Sequence, residues 1–355
     1  MVRRADPALI DKLAAERDLT DAEFLLLLQQ EDPGLDAILF SKAREVRERI
    51  YGKDVYIRGL VEFTNYCKNN CHYCGIRRDN HNAERYRLSG EEILSCCEQG
   101  YALGFRTFVL QGGEDPYYSD EDMVSIIRSI KSSHPDAALT LSIGERTKES
   151  YQAFFEAGAD RYLLRHETAD PEHYGFLHPK EMSFERRIQC LSELRSIGYQ
   201  VGCGMMIGSP GQTTEHLIRD IRLIQKLGPE MVGIGPFIPH HDTPYADEAP
   251  GSVQLTLRLL SIIRLILPEV LLPATTALGT LDVKGREKGL LAGANVLMPN
   301  LSPGSVRKKY LLYDNKICTG EEAAECIRCL GLRVETAGYR IVESRGDHIS
   351  RYQPN

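Results

Sequence analysis

The sequence predicts an α/β fold: a (β/α)8 barrel of the triosephosphate-isomerase type, with N-terminal helices and a short C-terminal extension. Three observations carry this. From residue 55 onward, apolar strand-like runs alternate with helical stretches until eight strands are counted. The runs are continuous, as in strands buried on both faces of a parallel sheet. Eight such units over about 250 residues match a closed barrel. A doubly wound open sheet is the alternative, but no strand exit carries a clean dinucleotide fingerprint.

The elements follow in order. Residues 1–52 read as a helical extension. Thr20, with Glu23 three positions on, forms a capping box that opens a helix over 22–30. Pro33-Gly34 breaks it, and 35–50 form a second helix with Leu39, Ala43, Val46 and Ile50 at helical spacing. This pair is expected to close one end of the main domain. Residues 53–307 read as the barrel, with strands over 55–64, 107–113, 138–144, 161–167, 200–208, 231–238, 270–276 and 294–299. Helices are expected over 91–103, 118–132, 148–157, 183–197, 213–227, 252–267 and 285–292. Residues 308–355 read as a tail of one or two helices, an accessory cysteine site and a polar, frayed end.

Composition narrows the function. At 355 residues and 42% hydrophobic content the chain can bury a full core. Its net charge of −7 argues against a nucleic-acid partner, which wants a basic face. The start lacks the apolar core of a signal peptide, and no apolar run approaches the ~20 residues that span a bilayer. The cytoplasm is therefore expected, with no membrane partner. Ten cysteines in that setting predict metal ligation or buried thiols rather than disulfides.

In such a barrel the chemistry sits on the loops after the strand C-termini. The first of these carries Cys67, Cys71 and Cys74, spaced C-x3-C-x2-C, with Tyr73 before the third. A structural zinc site wants four ligands. Three thiolates on a four-iron cluster leave one iron open to hold and reduce a small molecule. A zinc knuckle is the plainer alternative. At the second exit, Gly112-Gly113-Glu114 lets the backbone approach a ligand and its carbonyls accept from an ammonium group, unless it is an ordinary turn. Glu145 ends the third strand region. Arg165 and Glu167 share side-chain parity at the fourth exit, one suited to a carboxylate and the other to ribose hydroxyls; a structural ion pair is the alternative.

Thr275 and Thr276 end the seventh strand and can donate to an anion. Residues 208–213 open a helix whose free N–H groups suit an anion or an adenine edge. His240 and His241, set among prolines, read as a rigid turn rather than as ligands. Cys96, Cys97, Cys190 and Cys203 read as small buried residues. Cys318, Cys326 and Cys329 have the spacing of an accessory metal site, iron–sulfur or zinc.

The first exit resembles the cluster loop of radical S-adenosylmethionine (SAM) enzymes. Longer strings resemble one family among them, the HydE maturases of [FeFe]-hydrogenase: Phe63-Thr-Asn-Tyr-Cys-Lys-Asn-Asn-Cys-His-Tyr-Cys-Gly-Ile-Arg-Arg-Asp-Asn80, Gln111-Gly-Gly-Glu-Asp-Pro-Tyr-Tyr118, Gly158-Ala-Asp-Arg-Tyr-Leu-Leu-Arg-His-Glu-Thr168, Gly233-Ile-Gly-Pro-Phe-Ile-Pro-His240, Pro273-Ala-Thr-Thr276 and Met298-Pro-Asn300. The resemblance covers residues 55–330. It implies a radical-SAM barrel with a [4Fe–4S] cluster on Cys67, Cys71 and Cys74 and SAM beside it. Tyr73, Gly112, Gly113, Glu114 and Glu145 are then expected around the cofactor, and Glu167 on the ribose. Arg187 in Ser183-Phe-Glu-Arg-Arg187 matches the arginine on the SAM carboxylate, with Arg186 as the neighbouring alternative. Arg165, Thr275 and Thr276 match anion-binding residues, and Met298 and Tyr310 match residues lining the cavity. Cys318, Cys326 and Cys329 match an accessory cluster (2Fe–2S or 4Fe–4S) that only some members have.

The implied chemistry is reductive cleavage of SAM to methionine and a 5′-deoxyadenosyl radical, which attacks the sulfur of an iron-bound cysteine in an Fe(CO)2(CN) precursor. The implied partners are that organometallic or small-molecule substrate, a ferredoxin or flavodoxin as electron donor, the maturase HydG and the scaffold HydF. Among sibling families, biotin synthase needs further cysteines on barrel strands, and only Cys203 is so placed. Methylornithine synthase, acting on a small amino acid, stays open, as does a non-catalytic metal-binding scaffold.

Overall fold

The computed structural model describes residues 4–320 and 323–351, with the side chains of 323–326 outside that description. Three helices come first, α1 (Pro7–Glu16), α2 (Asp21–Gln29) and α3 (Pro33–Tyr51). The first half of the barrel runs β1 (Asp54–Ile57), β2 (Gly59–Thr64), α4 (Gly90–Ala102), β3 (Thr107–Gly112), α5 (Asp120–Ser133), β4 (Ala138–Ser142), α6 (Lys148–Ala157), β5 (Arg161–Leu163), α7 (Pro171–Leu177) and α8 (Phe184–Ile197). The second half runs β6 (Gln200–Cys203), β7 (Met206–Ile207), α9 (Thr214–Leu227), β8 (Met231–Val232), β9 (Gly235–Pro236), α10 (Val253–Ile266), α11 (Thr276–Leu281), α12 (Gly285–Leu291), β10 (Val296–Leu297) and α13 (Gly304–Arg307). Two more elements follow, α14 (Ala323–Thr336) and β11 (Arg340–Val342).

Six strands form one parallel sheet in the order β2-β3-β4-β5-β6-β8. The ladder continues through isolated parallel bridges, Met231 to Leu271 and Pro273 to Val296, and β10 then pairs with β1. Leu60 bridges Asn300 and completes the ring. The seventh position, expected as a strand over 270–276, holds only these bridges. Pro273 has no N–H to give a ladder, and Thr275 already turns to cap α11. The run 55–64 likewise divides at Arg58: β1 faces β10, while β2 faces β3.

Thr20 and Glu23 form the expected capping box on α2. Pro33 is not a breaker but the first residue of α3, where a missing N–H costs nothing, and Asp32 caps the Gly34 N–H at 2.8 Å. Rather than closing one end, these helices lie along the flank of the barrel against α9, α10 and α12. They explain the sequence of α10, which is buried on nearly every side. Its Arg258 makes a two-pronged ion pair with Asp36 of α3, at 2.8 and 2.9 Å, and also donates to Leu28 O at 2.7 Å.

The tail departs from expectation most. It is not frayed up to residue 351: β11 pairs in parallel with β1, Asp54 opposite Arg340 and Tyr56 opposite Val342. The residues after it cross the end of the barrel where the strands begin. Arg345 O accepts from Thr107 Oγ1 and Arg161 Nη2, both at 2.7 Å. Asp347 Oδ1 accepts from Arg161 Nη2 at 2.6 Å and from Gln200 Nε2 at 2.7 Å. Three residues, Arg340-Ile-Val342, are too short a run to read as a strand. Among the described residues, no helix is long and apolar enough to cross a membrane.

Candidate active site

At the other end of the barrel, where the strands finish, the exits line a cavity of about 300 Å³. Cys67, Cys71, Tyr73 and Cys74 of the first exit reach it, with Gly112, Gly113 and Glu114 of the second. Arg165, Glu167, Arg187, Thr275 and Tyr310 reach it too. Residues hundreds of positions apart therefore converge on one space of ligand size.

The cysteine loop is shaped from within. The Arg85 guanidinium donates to the carbonyls of Asn65, Ile76, Arg77 and Asn80, so one side chain gathers the turn. Asn65 Nδ2 ties it to Glu84 O at 2.9 Å and to Lys309 O at 2.7 Å. Gly113 is required by close approach: a Cβ there would stand 2.1 Å from Tyr66 O and 2.8 Å from Cys67 Cβ. The Glu114 N–H then points at Cys67 Sγ, 3.4 Å away. His240 and His241 form the expected turn, with Asp242 N donating to His240 Nδ1 at 3.1 Å and His241 Nδ1 2.7 Å from Asp314. The His240 ring packs over Gly75, where a Cβ would meet it at 2.3 Å.

Burial raises all three cysteine pKa values, Cys74 to about 12, with the neighbouring thiols adding to it at Cys71 and Cys74 and the Glu114 carboxylate at Cys67. Such thiols stay protonated until a metal displaces the proton. Among the described residues no other cysteine and no histidine lines the cavity. A four-iron cluster on these three would thus keep one iron facing the open space. The residues fit that group.

They also fit a polar ligand beside it. Arg165 Nη2 and Glu167 Oε2 lie 2.9 Å apart but off line for a hydrogen bond. Arg165 Nε and Nη2 and Glu167 Oε2 are buried with no hydrogen-bond partner. A purely structural ion pair would satisfy these atoms; a ligand-binding pair leaves them available. Glu167 has φ of 66°, an uncommon left-handed conformation for a non-glycine, fixed by its N–H to Gly204 O at 3.0 Å. Arg187, not Arg186, reaches the cavity. Its Nε donates to Glu145 Oε1 and its Nη1 to Arg165 O, both at 2.6 Å, whereas Arg186 turns to Glu193 and Arg146 O. Tyr73 Oη lies 3.1 Å from His178 Nε2. Because His178 Nδ1 faces Tyr174 O at 2.9 Å, we assign the proton to Nδ1, so the tyrosine donates. Burial lowers the His178 pKa to about 3 and keeps it neutral.

Three expected residues lie outside the wall. Glu145 stands behind Arg187 as its acceptor. Thr276 is the first residue of α11, and Met298 packs on the cluster of Tyr51, Tyr56, Met231, Leu271 and Val296. Residues 208–213 do not line the cavity: Gln212 bonds Gly208 N and Met206 O, while Thr213 and His216 cap each other at the start of α9. Cys96, Cys97, Cys190 and Cys203 are buried as expected. Cys318 lies 3.3 Å from Arg286 Nη2 and Cys329 is exposed; the side chain of Cys326 is outside the described residues.

Sequence reasoning missed what stands behind Tyr310. Glu62 is buried on β2 with Lys316 Nζ at 2.6 Å and Asn300 Nδ2 at 2.8 Å, and Lys316 also donates to Tyr310 O at 2.9 Å. A carboxylate inside Leu60-Val61-Glu62-Phe63 signals a buried partner, but not which one.

Comparison with known proteins gives a consistent picture. Residues 61–224 match the Radical SAM superfamily. The [FeFe] hydrogenase maturase subunit HydE of Thermotoga maritima is 45% identical over 330 residues, covering 93% of this chain and 94% of that protein. The 3-methylornithine synthase of Methanosarcina barkeri is 31% identical over 333 residues, covering 93% and 92%. The crystal structure of methylornithine synthase (PylB) superposes with a TM-score of 0.83 at 30% identity, covering 94% of this chain and 97% of that one.

Proposed function

This chain belongs to the HydE family of the radical SAM superfamily, and on that premise we propose that it acts in assembly of the [FeFe]-hydrogenase H-cluster, on a cysteine-bound Fe(CO)2(CN) precursor. It is a radical SAM enzyme, with a [4Fe–4S] cluster and SAM as cofactors. Bound there, they supply an electron and a 5′-deoxyadenosyl radical. Cys67, Cys71 and Cys74 hold the cluster. The Gly112–Gly113 backbone takes the methionine ammonium, Arg187 its carboxylate and Glu167 the ribose. Arg165 and Thr275 face the substrate's charge. Buried Tyr310 and the apolar wall of Leu163, Leu164 and Phe237 keep water from the reacting atoms. An accessory cluster on Cys318, Cys326 and Cys329, an electron donor such as ferredoxin or flavodoxin, and HydG and HydF as partners complete the reading.

Identity of 45% along nearly the whole chain, against 31% to a methylornithine synthase, supports it most. A second reading, a mutase on a small amino acid, draws on Arg165, whose Nε and Nη2 make no hydrogen bond and would suit a carboxylate. Anaerobic maturation of apo-hydrogenase, with this protein supplied or omitted, separates the two beside a methylornithine assay. Hydrogenase activity that appears equally without it sinks the first reading. Cys71→Ala is expected to abolish reductive SAM cleavage, and undiminished deoxyadenosine from that variant would refute the cluster assignment.

A further inference from the structure

We propose that the flank of the barrel carries a second, separate binding site for a small organic anion, a carboxylate with a short apolar tail. A cavity of about 430 Å³ lies between one face of α4 and residues 301–307, and none of its residues lines the central cavity. Its apolar surface comes from Ala102, Leu103, Leu301 and Pro303. Its charged residues are Arg307 and, on the first turn of α4, Glu92.

Arg307 carries the inference. It is 2% exposed. Its Nε donates to Ser302 O at 2.7 Å. Among the described residues no carboxylate lies within ion-pair distance of the guanidinium, and no hydrogen bond takes up its Nη1 or Nη2. Neither Nη is among the fully enclosed unpartnered atoms, so both keep some accessible surface. Buried arginines in proteins are paired, because an unmatched charge removed from water is costly. Arg258 with Asp36 and Arg161 with Asp347 follow that rule in this chain, Arg47 and Arg264 spend their guanidinium on main-chain carbonyls instead, and Arg58, which also lacks a carboxylate, lines neither cavity. Arg307 differs from these in standing at the wall of a cavity of ligand size with one main-chain hydrogen bond and both Nη atoms uncommitted. The planar fork of the guanidinium suits the two oxygens of a carboxylate.

The other polar groups around the cavity do not compete for it. Glu92 is held by its capping bond to Ser89 N at 2.7 Å, and Gln99 donates to Ser95 Oγ at 3.3 Å. Ser302 lines this cavity only, but it reaches the strand behind the central one. Its Oγ accepts from Glu62 N at 2.7 Å, so the occupant sits one residue from the Glu62–Lys316 pair behind Tyr310.

The test uses the cluster-reconstituted full chain, saturated with SAM so that Arg187 is engaged. The probe is 4,4,4-trifluorobutyrate followed by ¹⁹F NMR, with 4,4,4-trifluorobutanol as its neutral counterpart. Wild type should bind the acid and not the alcohol. Arg307→Gln should weaken that binding about tenfold or more. Ala102→Trp, at an exposed position, should block it without removing any core contact. Arg165→Gln should leave it unchanged, since that residue belongs to the central cavity. Inorganic phosphate should displace the probe only weakly, because it has no tail to bury. The proposal is overturned by absence of wild-type binding, by equal binding of the alcohol, by displacement by phosphate at matching concentration, or by loss of binding in Arg165→Gln with retention in Arg307→Gln and Ala102→Trp. Loss of SAM cleavage across the SAM-saturated samples would instead count against the enzyme reading and leave the binding result standing.

Discussion

At the scale of single residues, the site is built by atoms left without partners and by one position without a side chain. Arg165 and Glu167 are close enough to pair and yet miss alignment, so both keep capacity for a ligand. Gly113 lets the second exit touch the cysteine loop. Gly113→Ala would place a methyl 2.1 Å from backbone oxygen, which cannot move aside as a side-chain end can. The variant is expected to fold but to hold much less cluster, read as iron and sulfide per chain after anaerobic reconstitution; full cluster content would show the contact is dispensable. The three cysteines were legible because their spacing is local. Arg85 was not, because its four acceptors are main-chain carbonyls that no residue type announces. Nor was Lys316, whose partner Glu62 lies 254 positions away.

At the scale of elements, the longer helices were read closely, the short α7 and α11 were not foreseen, and the strands were overextended. Helical boundaries are written in side chains: Ser89, Ser119, Thr147, Ser183 and Ser252 each cap the helix that follows. Apolar runs, by contrast, continue past the last ladder bond. Past the six-stranded sheet, Leu164, Arg165, Glu167 and residues 235–238 line the cavity, and Gly235–Pro236 pair only with β7. The N-terminal helices show the opposite case, where pattern gave the helix but not its partner. Asp36→Asn would leave Arg258 buried with a weakened acceptor, and a loss of about 3 kcal/mol is expected. Urea unfolding of the apo protein measures it, and a change under about 0.5 kcal/mol, the ordinary surface range, would contradict the role given to this pair.

At the scale of the molecule, the barrel has two differently made ends. One is lined with ligand-seeking groups; the other is closed by the chain's own residues 345–348. Burial pushes the Asp347 pKa up, but Arg161, Arg345 and Gln200 outweigh it and hold it well below the ordinary carboxylate range. A depressed folded pKa gives stability that is complete above the unfolded value of about 3.9 and is lost as pH falls through the folded one. Asp347→Asn is therefore expected to cost about 2–3 kcal/mol near neutrality. Its deficit against wild type should shrink below about pH 4, measured by thermal unfolding across pH. A deficit that stays constant down to pH 2 would contradict the assignment.

That closed end also bears on the order in which the chain is made. Arg340 and Asp54 pair across 286 positions, so β1, among the first strands synthesised, waits for β11 as its second neighbour. Every other strand pairing in the barrel can form before the ribosome reaches that point. That pairing, added beyond the ring completed at Leu60 and Asn300, is also among the longest loops to close, and it is the last strand pairing available to a growing chain.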